Sequence, residues 1–218
     1  MIKVIYEGLD KIKIQAEVLK AYNYVNNIFL IKIGDITVFV AQDRKEFDKQ
    51  FGEKTTGWLV GNAIGKNKIN ILSPLAMKNE SSHSPKEFLS ILKHEFTHLF
   101  LSNLSAERAI PNWLNEGLAA YVAKQHQNGK DNIFIEDNFC KRLSSSRDWN
   151  NNVHHGAYLL SALFVKFLIK KYSFKKIEKL VSSLNKYYYQ PDFEQIFLKI
   201  YGCEIDVVEK LFIQEINK

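Results

Sequence analysis

His94 and His98 stand four residues apart in the stretch ILKHEFTHLF, with Glu95 directly after the first of them. On a helix both imidazoles share one face and are displaced by about 6 Å along the axis, since each residue rises ~1.5 Å. Two histidines at that spacing can converge on one metal ion. Glu95 is poorly placed to bind the same ion, but its carboxylate can reach a water held in an open coordination position. That division of labour, two ligands and one general base on one face, is the physical content of the H-E-x-x-H pattern. The competing reading is a pair of satisfied histidines on an ordinary packed helix.

The element that must carry these residues is well signalled. In SPKEFLSILKHEFTHLFL, Ser84 is a candidate N-cap, Pro85 takes the first helical position, and Glu87 completes a capping box. Phe88, Ile91, Leu92, Phe96 and Leu99 surround the histidines, which places the pair beside the buried side of the helix. A catalytic zinc site takes three protein ligands and keeps one position open. Downstream, PNWLNEGLAAY offers Glu116 within a second helix that Pro111 can start. Gly117, Ala119 and Ala120 would let that helix approach another backbone closely. Without the two histidines, Glu116 would read as a surface glutamate on a well-packed helix.

HEFTH followed by Glu116 in WLNEGLAAY resembles a gluzincin metallopeptidase, of the peptidase MA-like families related to thermolysin and the zinc aminopeptidases. The resemblance implies a zincin-like α+β fold, one Zn2+ per chain held by His94, His98 and Glu116, and Glu95 as catalytic base. It implies a peptide or protein substrate. HEFTHLFLSNL has no third histidine at the metzincin offset. TGWLVGNAIGKNKINILSP is similar to the edge-strand segment beside the zinc in this family, so that Gly57, Trp58, Gly61, Asn62 and Ala63, within Gly57 to Ile64, would bind an extended substrate. The simpler reading of that segment is a twisted hairpin. HHGAYLLSALFVKFLIKKY resembles the helix that brings a tyrosine to the zinc, with Tyr158 in the matching place and His155 as the competing oxyanion donor. Two departures stand out. GNAIGKN lacks the glutamate that holds a free amine in the aminopeptidases, which favours cleavage within a chain, and Ala120 stands four positions after Glu116, where an acidic partner is usual.

Around these motifs the chain of 218 residues, 46% hydrophobic and 13% aromatic, can bury a substantial core. Hydrophobic spacing predicts a helix over 9–28, although the start is open to a strand; ITVFVA (36–41) reads as a buried strand, followed by a short helix stopped by Gly52. A hairpin or strand pair turning around Gly65 to Asn67 then ends at Pro74. From residue 84 onward the pattern is mainly helical, with turn signals at Pro111, Gly129, Asn150 to Asn152, Pro191 and Gly202. The expectation is one domain over 1–218, with a small α/β lobe at 1–83 and a helical lobe at 84–218 carrying the zinc site.

The remaining features narrow the function by class. Charge recurs throughout the first twenty residues and no apolar run approaches the ~20 residues of a membrane span, so the sequence reads as cytoplasmic. Cys140 and Cys203 lack C-x-x-C spacing and read as free thiols. The formal charge of +6 is concentrated in Lys166, Lys170, Lys171, Lys175, Lys176, Lys179 and Lys186, which reads as a solvated helix face. No zinc-finger or Gly-rich aromatic pattern accompanies it, so nucleic acid is not the expected partner. A zinc-bound module that recognises a peptide without cleaving it shares every ligand and remains the alternative to an enzyme.

Overall fold

A computed structural model describes residues 1–125, 137–184 and 189–217. Gly129 and Lys186 lie outside the described residues. The fold mixes helices with a small four-stranded sheet, an arrangement compatible with the expected α+β class, and the chain divides into two compact units, Met1–Asn103 and Leu104–Lys218. The division falls twenty residues beyond the expected 83/84 boundary, so the histidine-bearing helix is grouped with the sheet, where it meets the strand Gly61–Ile64 and the helix Lys11–Phe29.

In the first unit, β1 (Ile2–Ile5), β2 (Ile36–Ala41), β3 (Gly61–Ile64) and β4 (Lys68–Leu72) form one sheet in the order β1-β2-β4-β3. β1, β2 and β4 run parallel, whereas β3 folds back antiparallel on β4 and lies at the edge. Its turn places Gly65 at φ +58°, a conformation that glycine adopts without steric cost. β1 was not anticipated from the sequence; its alternating half-buried and exposed residues mark a strand at the sheet's other edge.

Four helices accompany this sheet. α1 (Lys11–Phe29) buries Ile14, Val18, Ala21, Val25 and Phe29 at helical spacing, which resolves its start in favour of helix. α2 (Arg44–Phe51) is capped by Asp43, whose carboxylate accepts from the Glu46 N–H, and ends at Gly52 with φ +98°. Pro74 does not simply terminate β4, because it opens α3 (Pro74–Glu80) behind a Ser73 cap. The capping box of Ser84 and Glu87 closes a short 3-10 turn, Pro85–Glu87, that leads directly into α4 (Phe88–Leu104).

The second unit is helical among its described residues. α5 (Asn112–Ala123) follows Pro111, which occupies the cap position one residue before the expected first turn. The first N–H groups of α5 donate to main-chain carbonyls of another segment, Asn112 to Ser144 at 3.0 Å and Trp113 to Leu143 at 2.9 Å. Those acceptors follow α6 (Phe139–Arg142), which leads to α7 (Ser146–Asn152). Asn150 to Asn152 therefore belong to a helix and not to a turn, the chain turning instead at Gly156, where φ is +82°. α8 (Ala157–Tyr172), α9 (Phe174–Ser182), α10 (Gln190–Tyr201) and α11 (Ile205–Ile216) complete the unit, with Pro191 starting α10 and Gly202 ending it as expected.

Lys166, Lys170, Lys171, Lys175 and Lys179 are exposed and Lys176 half-buried, so the basic segment of α8 and α9 is a solvated face. Cys140 is buried, Cys203 is half-buried, and neither is in a disulfide. Among the described residues no helix is long and apolar enough to cross a membrane.

Candidate functional site

α4 places His94 and His98 on one face, their ring centroids 4.7 Å apart and their planes at 77°. Both are half-buried, while Glu95 is 6% exposed. The five apolar residues expected around the pair, Phe88, Ile91, Leu92, Phe96 and Leu99, are all buried. α1 supports the far side of the helix through aromatic packing. Tyr22 meets Phe96 and Phe100 with ring centroids at 5.7 and 5.9 Å, Phe29 stacks on Phe100 at 5.5 Å, and the Lys93 ammonium lies 4.1 Å from the centroid of the Tyr24 ring.

The edge strand fixes α4 from its other side. A Cβ built on Gly61 would lie 3.0 Å from Glu95 Oε1, 3.1 Å from Glu95 Cγ and 3.0 Å from Ile91 Cγ2. β3 therefore passes directly against the side chain of Glu95, and only glycine leaves that space. Toward the end of the helix, Asn103 Nδ2 donates to the Lys66 carbonyl in the β3–β4 turn at 2.8 Å. Gly57, the other glycine of this segment, has no such neighbour.

The ladder decides which main-chain groups of β3 are available. Gly61 lies opposite Ile71 and Asn62 opposite Asn70, and the Leu72 N–H donates to the Val60 carbonyl at 2.9 Å. In an antiparallel ladder bonded and non-bonded pairs alternate. Val60, Asn62 and Ile64 consequently turn their main-chain groups toward β4, while Gly61 and Ala63 direct theirs to the open edge. The Asn62 side chain points to the opposite face of the sheet from Gly61. There its cross-strand neighbour Asn70 donates from Nδ2 to the Phe47 carbonyl of α2 at 3.0 Å. Asn62 thus faces away from Glu95.

Strand geometry covers only the second half of the expected segment. Gly57 and Trp58 form a turn closed by the Leu59 N–H on the Thr56 carbonyl at 3.1 Å. Trp58 is 43% exposed, and its carbonyl lies 3.0 Å from His83 Nε2. Arg44 holds the same turn through donors to Thr55 Oγ1, Leu59 O and Gly57 O. Neither Arg44 nor His83 was singled out from the sequence, since a lone arginine at the start of a short helix carries no spacing signal.

In the second unit, Glu116 is half-buried on α5. The next residue, Gly117, brings α5 against α8 so closely that a Cβ there would lie 2.7 Å from the Ser161 carbonyl oxygen. Ala119 and Ala120 are fully buried, which matches the close approach expected from small residues. Tyr158 sits in the first turn of α8, half-buried, with the Trp149 ring edge-on at 4.9 Å between centroids. His155 ends the preceding 3-10 turn and is exposed, lining a cavity of about 30 Å³ with Phe139, Arg142 and Leu143.

His94, His98 and Glu116 each offer a ligand atom, and these atoms all lie within 4.8 Å of one another, so the group could hold a metal ion. The donor set of two imidazole nitrogens and one carboxylate oxygen fits a metal site that keeps a coordination position open.

The Peptidase MA superfamily model matches residues 89–218, a span that contains His94, Glu95, His98, Glu116, His155 and Tyr158. β3 precedes the matched span. No curated protein and no solved structure matches the chain.

Proposed function

The chain belongs to the Peptidase MA superfamily, and from that premise we propose that it is a zinc-dependent metallopeptidase of the gluzincin type with a zincin-like fold. The observation that carries this reading is the grouping of His94, His98 and Glu116, with Glu95 adjacent in sequence to the first ligand. A zinc ion bound by these three side chains would supply a Lewis acid that polarises a scissile carbonyl and makes water a nucleophile at neutral pH.

The chain's own groups account for the rest of the reaction. Glu95 accepts the proton of the attacking water and delivers it to the leaving amine. The open-edge main-chain groups of Gly61 and Ala63 pair with an extended peptide, which fixes its carbonyl near Glu95. Tyr158 donates to the oxyanion; His155, exposed in the turn before α8, is the less favoured donor. GNAIGKN carries no acid to hold a free amino terminus, so the reading is an endopeptidase acting on peptides or proteins.

Metal analysis by mass spectrometry, coupled to hydrolysis of a mixed peptide library, tests the proposal. Wild type should carry about one zinc per chain, and His98→Ala should lose both metal and cleavage. Glu95→Gln should keep the metal and lose turnover by about 10³-fold. Zinc without cleavage in the wild type would shift the assignment to a peptide-binding module, and full activity in Glu95→Gln would remove the mechanism.

A further inference from the structure

The segment ahead of the edge strand has an unusual hydrogen-bond pattern: all four carbonyls from Gly57 to Val60 are engaged. Gly57 accepts from the Ser82 N–H at 3.3 Å and from Arg44 Nη2 at 3.4 Å. Trp58 accepts from His83 Nε2, Leu59 from Arg44 Nη1 at 2.5 Å, and Val60 from the Leu72 N–H. The guanidinium also donates to Thr55 Oγ1 at 3.0 Å and to the Glu80 carbonyl at 3.1 Å, and it lies 5.3 Å from the Phe47 ring. Thr55 in turn donates through its hydroxyl and N–H to Asp48 Oδ1. The four acceptors of the Arg44 guanidinium sit on two separate stretches of chain, the 55–59 loop and the end of α3, which a planar fork with several donors can serve at once.

On the basis of the peptidase reading, we propose that Arg44 is a positioning residue for the substrate and Trp58 a specificity residue that selects an apolar side chain. By occupying the acceptors of Gly57 and Leu59, Arg44 removes them from pairing with a peptide. Substrate pairing is thereby confined to Gly61 and Ala63 and begins where β3 touches Glu95. The same contacts immobilise the backbone on both sides of Trp58, and His83 holds its own carbonyl. A large aromatic side chain that stays 43% exposed on an immobilised turn loses little freedom when an apolar group packs on it. The substrate class that fits is an extended peptide with an aliphatic or aromatic residue reaching the turn before the edge strand.

The test reads cleavage positions as well as rates, using the full chain and a mixed decapeptide library. Wild-type product ends should show a preference for an apolar residue at one position. Trp58→Ala should flatten that preference while leaving zinc content unchanged. Arg44→Ala should raise KM about tenfold with kcat within about threefold, and should scatter the cleavage positions; Arg44→Lys, which keeps the charge without the fork, should recover little. Simple loss of folded protein lowers the rate without redistributing the cut sites. Unchanged cleavage profiles in both variants would overturn the proposal. If wild type cleaves nothing, the peptidase reading fails by itself. Peptides retained by immobilised wild type then serve as the readout: loss of apolar selection in Trp58→Ala supports the proposal, and an unchanged or empty retained set overturns it.

Discussion

Gly61 and Gly117 each stand beside a residue of the candidate site, yet they make room for different kinds of neighbour. At Gly61 the absent Cβ leaves space for the flexible side chain of Glu95, and at Gly117 for the main-chain carbonyl of Ser161. The first unit thus uses glycine to bring a strand edge up to the Glu95 side chain, and the second uses it to join two helices. A side chain can swing aside at small cost. A carbonyl inside a helix cannot move without moving the helix, so the same substitution should read out as function in one region and as stability in the other.

The largest effect is expected at Gly117. Placing alanine there gains about 1 kcal/mol of helix propensity, but the 2.7 Å contact forces α5 and α8 apart, an overpacking cost of about 1–3 kcal/mol or more. Gly117→Ala should therefore be destabilising by up to about 2 kcal/mol and Gly117→Val by ~3 kcal/mol or more in denaturant unfolding. Wild-type stability in both variants would show that α5 and α8 are free to separate, and the contrast with Gly61 would fail.

The parts of this arrangement that were legible in the sequence are those with local causes. The capping box at Ser84 and Glu87, the stop at Gly52, the turn at Gly65 and the helical spacing around His94 and His98 each arise from residues within a few positions of one another, and each was found where expected. Long-range features were less readable. The boundary after Asn103 depends on α4 packing with α1 and β3, contacts that no local signal encodes. Nothing in GWLV distinguishes a turn from a strand until Arg44, more than ten residues earlier, is known to take its carbonyls. Likewise Asn150 to Asn152 have turn composition but are carried into α7 by the Ser145 cap and the buried Trp149.

Glu209 sharpens the view of the second unit as the region governed by stability. It is a buried carboxyl on α11 whose Oε1 accepts from the Cys140 N–H at 2.7 Å, anchoring the first turn of α6. Burial, the dominant cause, raises its pKa above the ordinary carboxylate range despite the hydrogen bonds from Cys140. The folded state therefore favours the protonated form. The associated stability is fully present below the unfolded-state pKa and declines as pH rises through the higher folded-state value. Glu209→Gln, which keeps an acceptor, should abolish that decline and be at least as stable as wild type at pH 7.5. Glu209→Ala removes the acceptor and should cost about 1–3 kcal/mol. Thermal unfolding followed from pH 4 to pH 8 separates the two, and parallel pH profiles for wild type and Glu209→Gln would reject the assignment.

Gly61→Ala is expected to have the smallest effect on stability and the most specific one on function. The added methyl would sit 3.0 Å from Glu95 Oε1 and from Ile91 Cγ2, contacts tight enough to require adjustment but made by side-chain atoms that can yield. Unfolding free energy should fall by less than about 1 kcal/mol. Displacing the carboxylate by a fraction of an ångström to an ångström from the proton it must accept should lower turnover by about ten- to a hundredfold, with zinc content unchanged. If turnover fell only in proportion to the folded fraction, β3 would be a structural neighbour of Glu95 and nothing more. If turnover fell while stability and metal held, the space beside Gly61 would be what keeps the base in place, and the two glycines would differ in the way their neighbours indicate.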